Sequence, residues 1–231
     1  MEGFDFATDA ENCGACGTVC SFPHANPACV SSVCGIDSCQ DNFFDIDGDV
    51  AKVIAGGGLL NTVLLRRLDK AGVTGLACLA GVPGTIGGAI RMNAGTSLGQ
   101  IADTELNAVE VCLPNGQIQT LLRDAIDFSY RWADLPVGAI VTRIWLRLDV
   151  DPPPELAEAI GLHLSRRMAT QPLDQPSCGS VFKNPSGDYA GRLIEAAGLK
   201  GIIEGGAQIS TRHANFIVNT GEASAMDVVH L

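Results

Sequence analysis

Gly81-Val82-Pro83-Gly84-Thr85-Ile86-Gly87-Gly88-Ala89, followed closely by Asn93-Ala94-Gly95, is the stretch on which the reading of this chain turns. Four glycines within residues 81–88, with a rigidifying proline among them, make a poor strand and a poor helix. Such a loop lets backbone N–H groups approach an anion closely, and Thr85 adds a hydroxyl donor. No Gly-Lys-Ser/Thr follows, so it is not a P-loop, and it is not the G-x-G-x-x-G of dinucleotide folds. From the glycines alone, a ligand cradle and a tight connection without a ligand read equally well.

Outward from this loop the chain alternates short β-like runs with amphipathic helical stretches. Residues 52–60 read as a strand ending at a glycine turn. Residues 61–72 read as a helix capped by Asn61, with Val63, Leu64, Leu65 and Leu68 on its apolar side and Gly72 closing it. Residues 108–114 and 117–122 flank Asn115-Gly116, a strong hairpin signal. Residues 139–150 alternate as a strand, and Pro152-Pro153-Pro154 then breaks the chain. Residues 155–171 and 190–199 read as helices, and 215–219 as a buried strand.

The 231 residues carry 46% hydrophobic side chains and a net charge of −11, with mean hydropathy +0.21. The acidic balance argues against nucleic acid as a partner. No apolar run is long enough to cross a membrane, and no secretory leader is legible at the start. Charge and cysteine are unevenly spread. Residues 1–50 hold nine acids and no Lys or Arg, giving −9, whereas residues 51–231 carry −2. Six of the nine cysteines (Cys13, Cys16, Cys20, Cys29, Cys34, Cys39) also lie in this first piece. It is too rich in Gly, Ser, Pro and Asn for an ordinary apolar core, so disulfides or zinc must hold it. The spacing favours three disulfides over zinc, because a second C-x2-C is lacking. The expected organisation is an acidic cysteine-rich module (1–50), a second region (51–151) and a third (152–231).

Two further signals carry chemistry. In Ser177-Cys178-Gly179-Ser180-Val181-Phe182-Lys183-Asn184-Pro185, a serine beside glycine has an accessible hydroxyl, and Lys183 can hold an anion. In Phe128-Ser129-Tyr130-Arg131, an arginine following an aromatic residue suits a carboxylate or phosphate. Each is weak alone, and a surface reading of Arg131 would ordinarily win. His213, just before the apolar strand, reads as a core or capping residue.

In this order and spacing the three motifs resemble the UDP-N-acetylenolpyruvoylglucosamine reductase (MurB) family of flavoproteins in peptidoglycan synthesis. GVPGTIGGAIRMNAG is similar to the family's flavin-contacting loop, and FSYR to its substrate-arginine segment. PSCGSVFKNPSGDYAGRLIEAAGLKG and GGAQISTRHANFIVN are similar to its substrate domain. The resemblance runs from about Asp49 to Leu231. The 49 residues from Arg131 to Ser180 match the shorter subtype without an inserted tyrosine-bearing lid.

The resemblance implies an α+β fold: a partial FAD-binding domain of the vanillyl-alcohol-oxidase type, then a partial substrate domain, preceded by the cysteine-rich module. It implies a cytoplasmic oxidoreductase in which NADPH reduces FAD and the flavin reduces a UDP-sugar enolpyruvyl ether. The cysteine-rich piece, which is similar to repeats of secreted bacterial proteins, points instead outside the cell. By the same resemblance Ser180 is the general acid and Arg131 stabilises charge. Gly81, Val82, Pro83, Gly84, Thr85, Gly87, Gly88, Asn93, Ala94 and Gly95 bind FAD, and Lys183 and Asn184 bind substrate. Arg166, Arg167, Arg192 and Arg212 are candidates for the diphosphate. No metal is implied. The family's first flavin loop and its C-terminal glutamate have no counterpart here, which suggests a fused or truncated reading frame. The rival readings are a non-catalytic remnant and an extracellular, disulfide-stapled interaction protein.

Overall fold

The computed structural model describes residues 25–30, 33–39 and 43–47 as backbone strands and residues 49–231 in full. The disulfide or zinc bridging expected among Cys13 to Cys39 concerns side chains outside the described residues. The chain divides into two compact units, Met1–Pro152 and Pro153–Leu231.

In the first unit the strands are β1 (Ala25–Val30), β2 (Val33–Cys39), β3 (Phe43–Asp47) and β4 (Val50–Gly56). Helices α1 (Asn61–Lys70) and α2 (Ile86–Arg91) follow, then the short strands β5 (Gly95–Thr96) and β6 (Gly99–Gln100). β7 (Leu106–Cys112), β8 (Ile118–Leu122), β9 (Phe128–Ser129), β10 (Trp132–Ala133) and β11 (Ile140–Asp149) complete it. The main sheet has the order β3-β4-β11-β7-β8 and is antiparallel throughout. The composition shift near residue 50 thus falls between two paired strands, β3 and β4, and the sheet extends across it.

Alternation along β4 buries Ala51, Val53 and Ala55, and these pack with Leu64 and Leu68 of α1 and Ile86, Ala89 and Ile90 of α2. The hairpin at Asn115-Gly116 forms with Gly116 at φ +83, the left-handed conformation that glycine adopts without strain. Helix α1 starts one residue differently from expectation. Its N-cap is Leu60, and Asn61 caps nothing. The Asn61 side chain, 1% exposed, instead donates from Nδ2 to the Val82 carbonyl at 3.3 Å and holds the glycine loop from beneath.

Strand β11 does not alternate along its whole length. Val141 and Ile144 are both buried although three residues apart, because the register shifts at Thr142. This bulge turns the Val141 carbonyl toward two glycines. A Cβ on Gly57 would lie 2.0 Å from Val141 O, and one on Gly87 would lie 3.0 Å from Gly57 O and 3.3 Å from Val141 O. Gly57 N donates to Thr142 O at 2.8 Å, and Gly87 N donates to Gly57 O at 2.8 Å. Three backbone segments therefore meet without side chains between them. The same contact corrects the expectation that residues 81–89 are too glycine-rich for helix, since Gly87 and Gly88 lie within α2. Packing against the β11 bulge outweighs the helix penalty of about 1 kcal/mol per glycine.

The second unit contains α3 (Pro154–Thr170), β12 (Ser177–Ser180), α4 (Ala190–Ala196), β13 (Ile203–Glu204), β14 (Ala207–Ile209), β15 (Phe216–Asn219) and α5 (Ala225–His230). Its antiparallel sheet has the order β12-β15-β14-β13, with Phe216 and Val218 buried on β15. Helix α3 begins at Pro154, a residue that the first helical position accepts, and buries no side chain fully. Asp227 accepts from the N–H groups of Ser224 and Gly206, both at 3.0 Å, so α5 is tied to the β13–β14 turn. Among the described residues no helix is long and apolar enough to cross a membrane.

The Gly57–Val141 contact makes a sharp test. Gly57→Ala should lower the unfolding free energy of the first unit by about 2–3 kcal/mol, the cost of overpacking against backbone. Gly58→Ala enters open space and should stay within about 0.5 kcal/mol of the parent. Urea titration of the two variants, monitored by tryptophan fluorescence, separates these outcomes.

Candidate active site

The glycine loop is anchored through its own amides. Val82 N donates to Leu79 O, Ile86 N to Leu59 O and Gly87 N to Gly57 O. Thr85 caps α2, its Oγ1 accepting from Gly88 N at 3.3 Å. That bond leaves the Thr85 hydroxyl its own hydrogen to give. Gly84 has φ +105 and would carry its Cβ into open space, as would Gly58. Gly81, Pro83, Gly84 and Gly88 are exposed, with Val82, Thr85 and Gly87 half-buried. Leu60, half exposed and bridged to Thr85, and the exposed Met92 put apolar surface beside this open backbone. An accessible, glycine-smoothed backbone with a hydroxyl donor and apolar neighbours fits a large planar cofactor with an anionic tail.

Asn93 and Ala94 are placed differently. Their side chains are buried and face the protein. Asn93 sits at φ +41, a conformation that asparagine tolerates better than most residues. Its Nδ2 donates to Gln100 Oε1 at 3.1 Å and to Ser129 O at 3.0 Å, and its Oδ1 accepts from Ala102 N at 2.9 Å. Ser129 belongs to the β9–β10 hairpin that carries Arg131. Arg131 closes the link from the other side, donating from its two terminal nitrogens to Asn93 O at 3.3 Å and Gly95 O at 2.8 Å. Two of the three chemical motifs are thereby joined across more than thirty residues of sequence. Arg131 itself has φ +56, which costs a non-glycine residue on the order of 1 kcal/mol. The two bonds use two of the five N–H donors of a guanidinium. Arg131 also lies 5.0 Å from the Tyr130 ring centroid.

The third motif builds a site in the second unit. A cleft of ≈ 380 Å³ is lined by Ser180, Asn184, Tyr189, Arg192, Arg212 and His213, among others. Ser180 is exposed at the end of β12, paired with Phe216 after an irregularity at Gly179, whose φ is +82. Asn184 caps α4 from outside, its Oδ1 accepting from Ala190 N at 3.0 Å. Lys183 is exposed and does not line the cleft.

Two of the four candidate arginines reach this cleft. Arg192 makes a bidentate pair with Asp188, and Arg212 pairs with Asp174 at 2.9 and 3.3 Å while donating to Gln171 O at 3.0 Å. Arg192 holds the Asp188 carboxyl well below the usual carboxylate range, at about 2, with help from the Tyr189 N–H. Arg166 and Arg167 lie on α3 and do not line the cleft. The sequence reading missed His213 and Asn215 as parts of the site. The one available signal was a pair of polar residues directly ahead of the buried strand at 216–219.

Comparison with known proteins gives a consistent picture. Residues 36–122 match the family model of an FAD binding domain. Residues 171–231 match that of the UDP-N-acetylenolpyruvoylglucosamine reductase C-terminal domain. The chain is 46% identical over 180 residues to the UDP-N-acetylenolpyruvoylglucosamine reductase of Moorella thermoacetica, covering 78% of this chain and 59% of that protein. It is 47% identical over 168 residues to that of a Synechococcus species, covering 71% and 55%. The crystal structure of UDP-N-acetylenolpyruvylglucosamine reductase (MurB) from Thermus caldophilus superposes with a TM-score of 0.70 at 43% identity, over 77% of this chain and 65% of that one. The chain therefore spans a little over half the length of the curated relatives it matches.

Asn93 is the most exacting residue of the first site. Asn93→Ala removes three side-chain bonds at a fully buried position, and should lower stability by about 3 kcal/mol or more. Arg123→Ala, which loses two bonds to the Ile126 and Ala102 carbonyls, should cost about half as much. Urea unfolding curves of both variants check the ranking.

Proposed function

The chain belongs to the UDP-N-acetylenolpyruvoylglucosamine reductase family over part of that family's length, and on that premise we propose that it serves the FAD-dependent, NADPH-linked reduction of UDP-N-acetylglucosamine enolpyruvate to UDP-N-acetylmuramate. The observation that carries the reading is the Arg131 link. A glycine loop suited to a flavin and an arginine suited to a carboxylate form one hydrogen-bonded assembly. Bound FAD would supply the hydride, taken from NADPH, that reduces the enolpyruvyl double bond. Gly81, Val82, Pro83, Gly84, Thr85, Gly87, Gly88 and Gly95 would hold it along the open backbone. Asn93 and Ala94 would act from beneath, through main chain alone.

Each remaining role follows from charge. Hydride arriving beside the substrate carboxylate leaves enediolate-like negative charge, which a fixed cation stabilises. Arg131 is such a cation, oriented by two carbonyls before substrate arrives. The neighbouring carbon then takes a proton, for which Ser180 is the donor, and the serine recovers its proton from solvent. A serine hydroxyl is a weak acid, so it acts only if held at the right place. Asn184 keeps its amide N–H2 free to donate to substrate, because its Oδ1 is the atom engaged with α4. Arg192 and Arg212, fixed by Asp188 and Asp174, offer cationic edges to a UDP diphosphate. A cytoplasmic place of action belongs to the same reading.

The test separates the half-reactions. The chain is supplied with FAD, reduced with NADPH, and mixed rapidly with the enolpyruvyl UDP-sugar while flavin absorbance is followed. The band should bleach and then recover. Ser180→Ala should leave bleaching near the parent rate and slow recovery by about two to four powers of ten. A flavin band that NADPH bleaches but substrate does not restore would overturn the reading, as would recovery at the parent rate in Ser180→Ala.

A further inference from the structure

A serine acting as an acid depends on what holds it, and the residues just after Ser180 are held by one buried side chain. Asn215, 3% exposed, sits opposite Val181 and Phe182. Its Nδ2 donates to Phe182 O at 2.8 Å, its Oδ1 accepts from Phe182 N at 3.0 Å, and its backbone carbonyl accepts from Val181 N at 2.9 Å. Strand β12 ends at Ser180, and beyond it the Asn215 carboxamide continues the ladder in place of a strand.

Asn215 is in turn set by His213. The Asn215 N–H donates to His213 Nδ1 at 3.2 Å, which requires a lone pair on that nitrogen and so a neutral ring with its proton on Nε2. The ring stands edge-on to Phe216, the residue opposite Ser180, with centroids 4.9 Å apart. Gly191 of α4 closes in from the other side, where a Cβ would lie 3.1 Å from His213 Cε1. The His213 N–H and the Arg212 N–H both point to Ser210 Oγ, at 3.4 and 3.1 Å, which fixes the turn that carries the ring.

We propose that Asn215 is a positioning residue for Ser180, and that neutral His213 sets it by accepting from its backbone N–H. The proposal rests on the reductase reading only in taking Ser180 as the proton donor. Protonation of His213 places a hydrogen on Nδ1 against the Asn215 N–H, so the link exists only while the ring is neutral. The charged groups facing the ring are Glu195 and Lys200, with Arg192 on α4 and Arg212 beside it, the last two tied to Asp188 and Asp174. Burial is the largest influence and lowers the ionisation of His213 below the usual histidine range; a hydrogen bond to its own backbone opposes it, Lys200 acts with burial and Glu195 against it. The sign follows. With the folded value depressed, the link and its stabilisation are complete above the ordinary value of about 6.5. They are lost as pH falls from there through the folded value.

The experiment is amide hydrogen exchange at Val181 and Phe182 in the full chain, followed by NMR across the His213 Cε1–H titration and corrected for intrinsic exchange. Protection at both amides should fall roughly fivefold as the ring protonates, the worth of one ordinary hydrogen bond. Asn215→Ala empties a buried position and endangers folding, so His213→Asn is the decisive variant. Its Oδ1 can accept from the Asn215 N–H and does not titrate, so protection should stay at the parent's high-pH level throughout. Flat protection in the parent across the titration would overturn the proposal, as would the same fall in His213→Asn. In flavin-bearing protein, recovery by substrate should show the same pH dependence in the parent and none in His213→Asn. The exchange measurement needs neither flavin nor turnover. Failed recovery with the predicted exchange would remove the reductase reading alone and leave Asn215 as the residue that places this hydroxyl.

Discussion

The meeting of Gly57, Gly87 and the Val141 carbonyl is the constraint from which the first unit's chemistry is built. It is a contact of backbone with backbone, made possible by an irregularity in β11 and by two residues that lack a Cβ. It decides where α2 starts, and so where the open glycines 84 and 88 are presented. A loop held in this way needs no large side chains inside it, and its outer face stays accessible. Rigid support beneath and bare backbone above is an arrangement that brings a ligand close to amide groups without ordering the loop at the moment of binding.

The second unit meets a different demand. Its core is small, and its cleft is lined by polar groups, so hydrogen bonds rather than packing must give it shape. The two arginines of the cleft are each held by an aspartate. Exposed pairs of this kind add little to stability. Their effect is on geometry, because a bidentate carboxylate leaves a guanidinium in one orientation. The cleft thus presents its positive charge at fixed places while its net charge remains modest.

Much of this was legible in the sequence. The strand read over 52–60 and found at Val50–Gly56, the Asn115-Gly116 hairpin, the helix after the triple proline and the buried strand read over 215–219 and found at Phe216–Asn219 all follow from periodicity and turn chemistry, which are local. Where local reading failed, tertiary contacts had intervened. Asn61 has the residue type of a cap, yet the glycine loop needed a donor at its carbonyl and took the side chain. Gly87 and Gly88 look like helix breakers, yet α2 passes through them, Gly87 because its bare Cα fits closely against the Gly57 and Val141 carbonyls. The bulge itself left no mark in an alternating run of apolar residues. Arg131 and the Asn93–Gly95 segment could be singled out from sequence, but their union required two hairpins to come together. His213 and Asn215 carried the weakest signal, since a polar pair before a buried strand is common and its meaning depends on Phe182, more than thirty residues away.

The two units solve the same problem with the same residue. In each, a buried asparagine binds the backbone of a distant segment next to a side chain of the proposed site: Asn93 grips Ser129 beside Arg131, and Asn215 grips Phe182 beyond Ser180. The carboxamide is suited to this work because it offers a donor and an acceptor at one planar end, the same pair that a peptide group offers in a ladder. An aspartate of equal size would bury a charge and face a carbonyl with an acceptor, at a cost of several kcal/mol. A glutamine would add a rotatable bond to be frozen. A serine would reach only one partner at a time. Asparagine also accepts the positive φ that position 93 requires. Two asparagines, one of them singled out in the sequence for a different role, are in the folded chain the means by which backbone geometry is handed on to the groups of the proposed site.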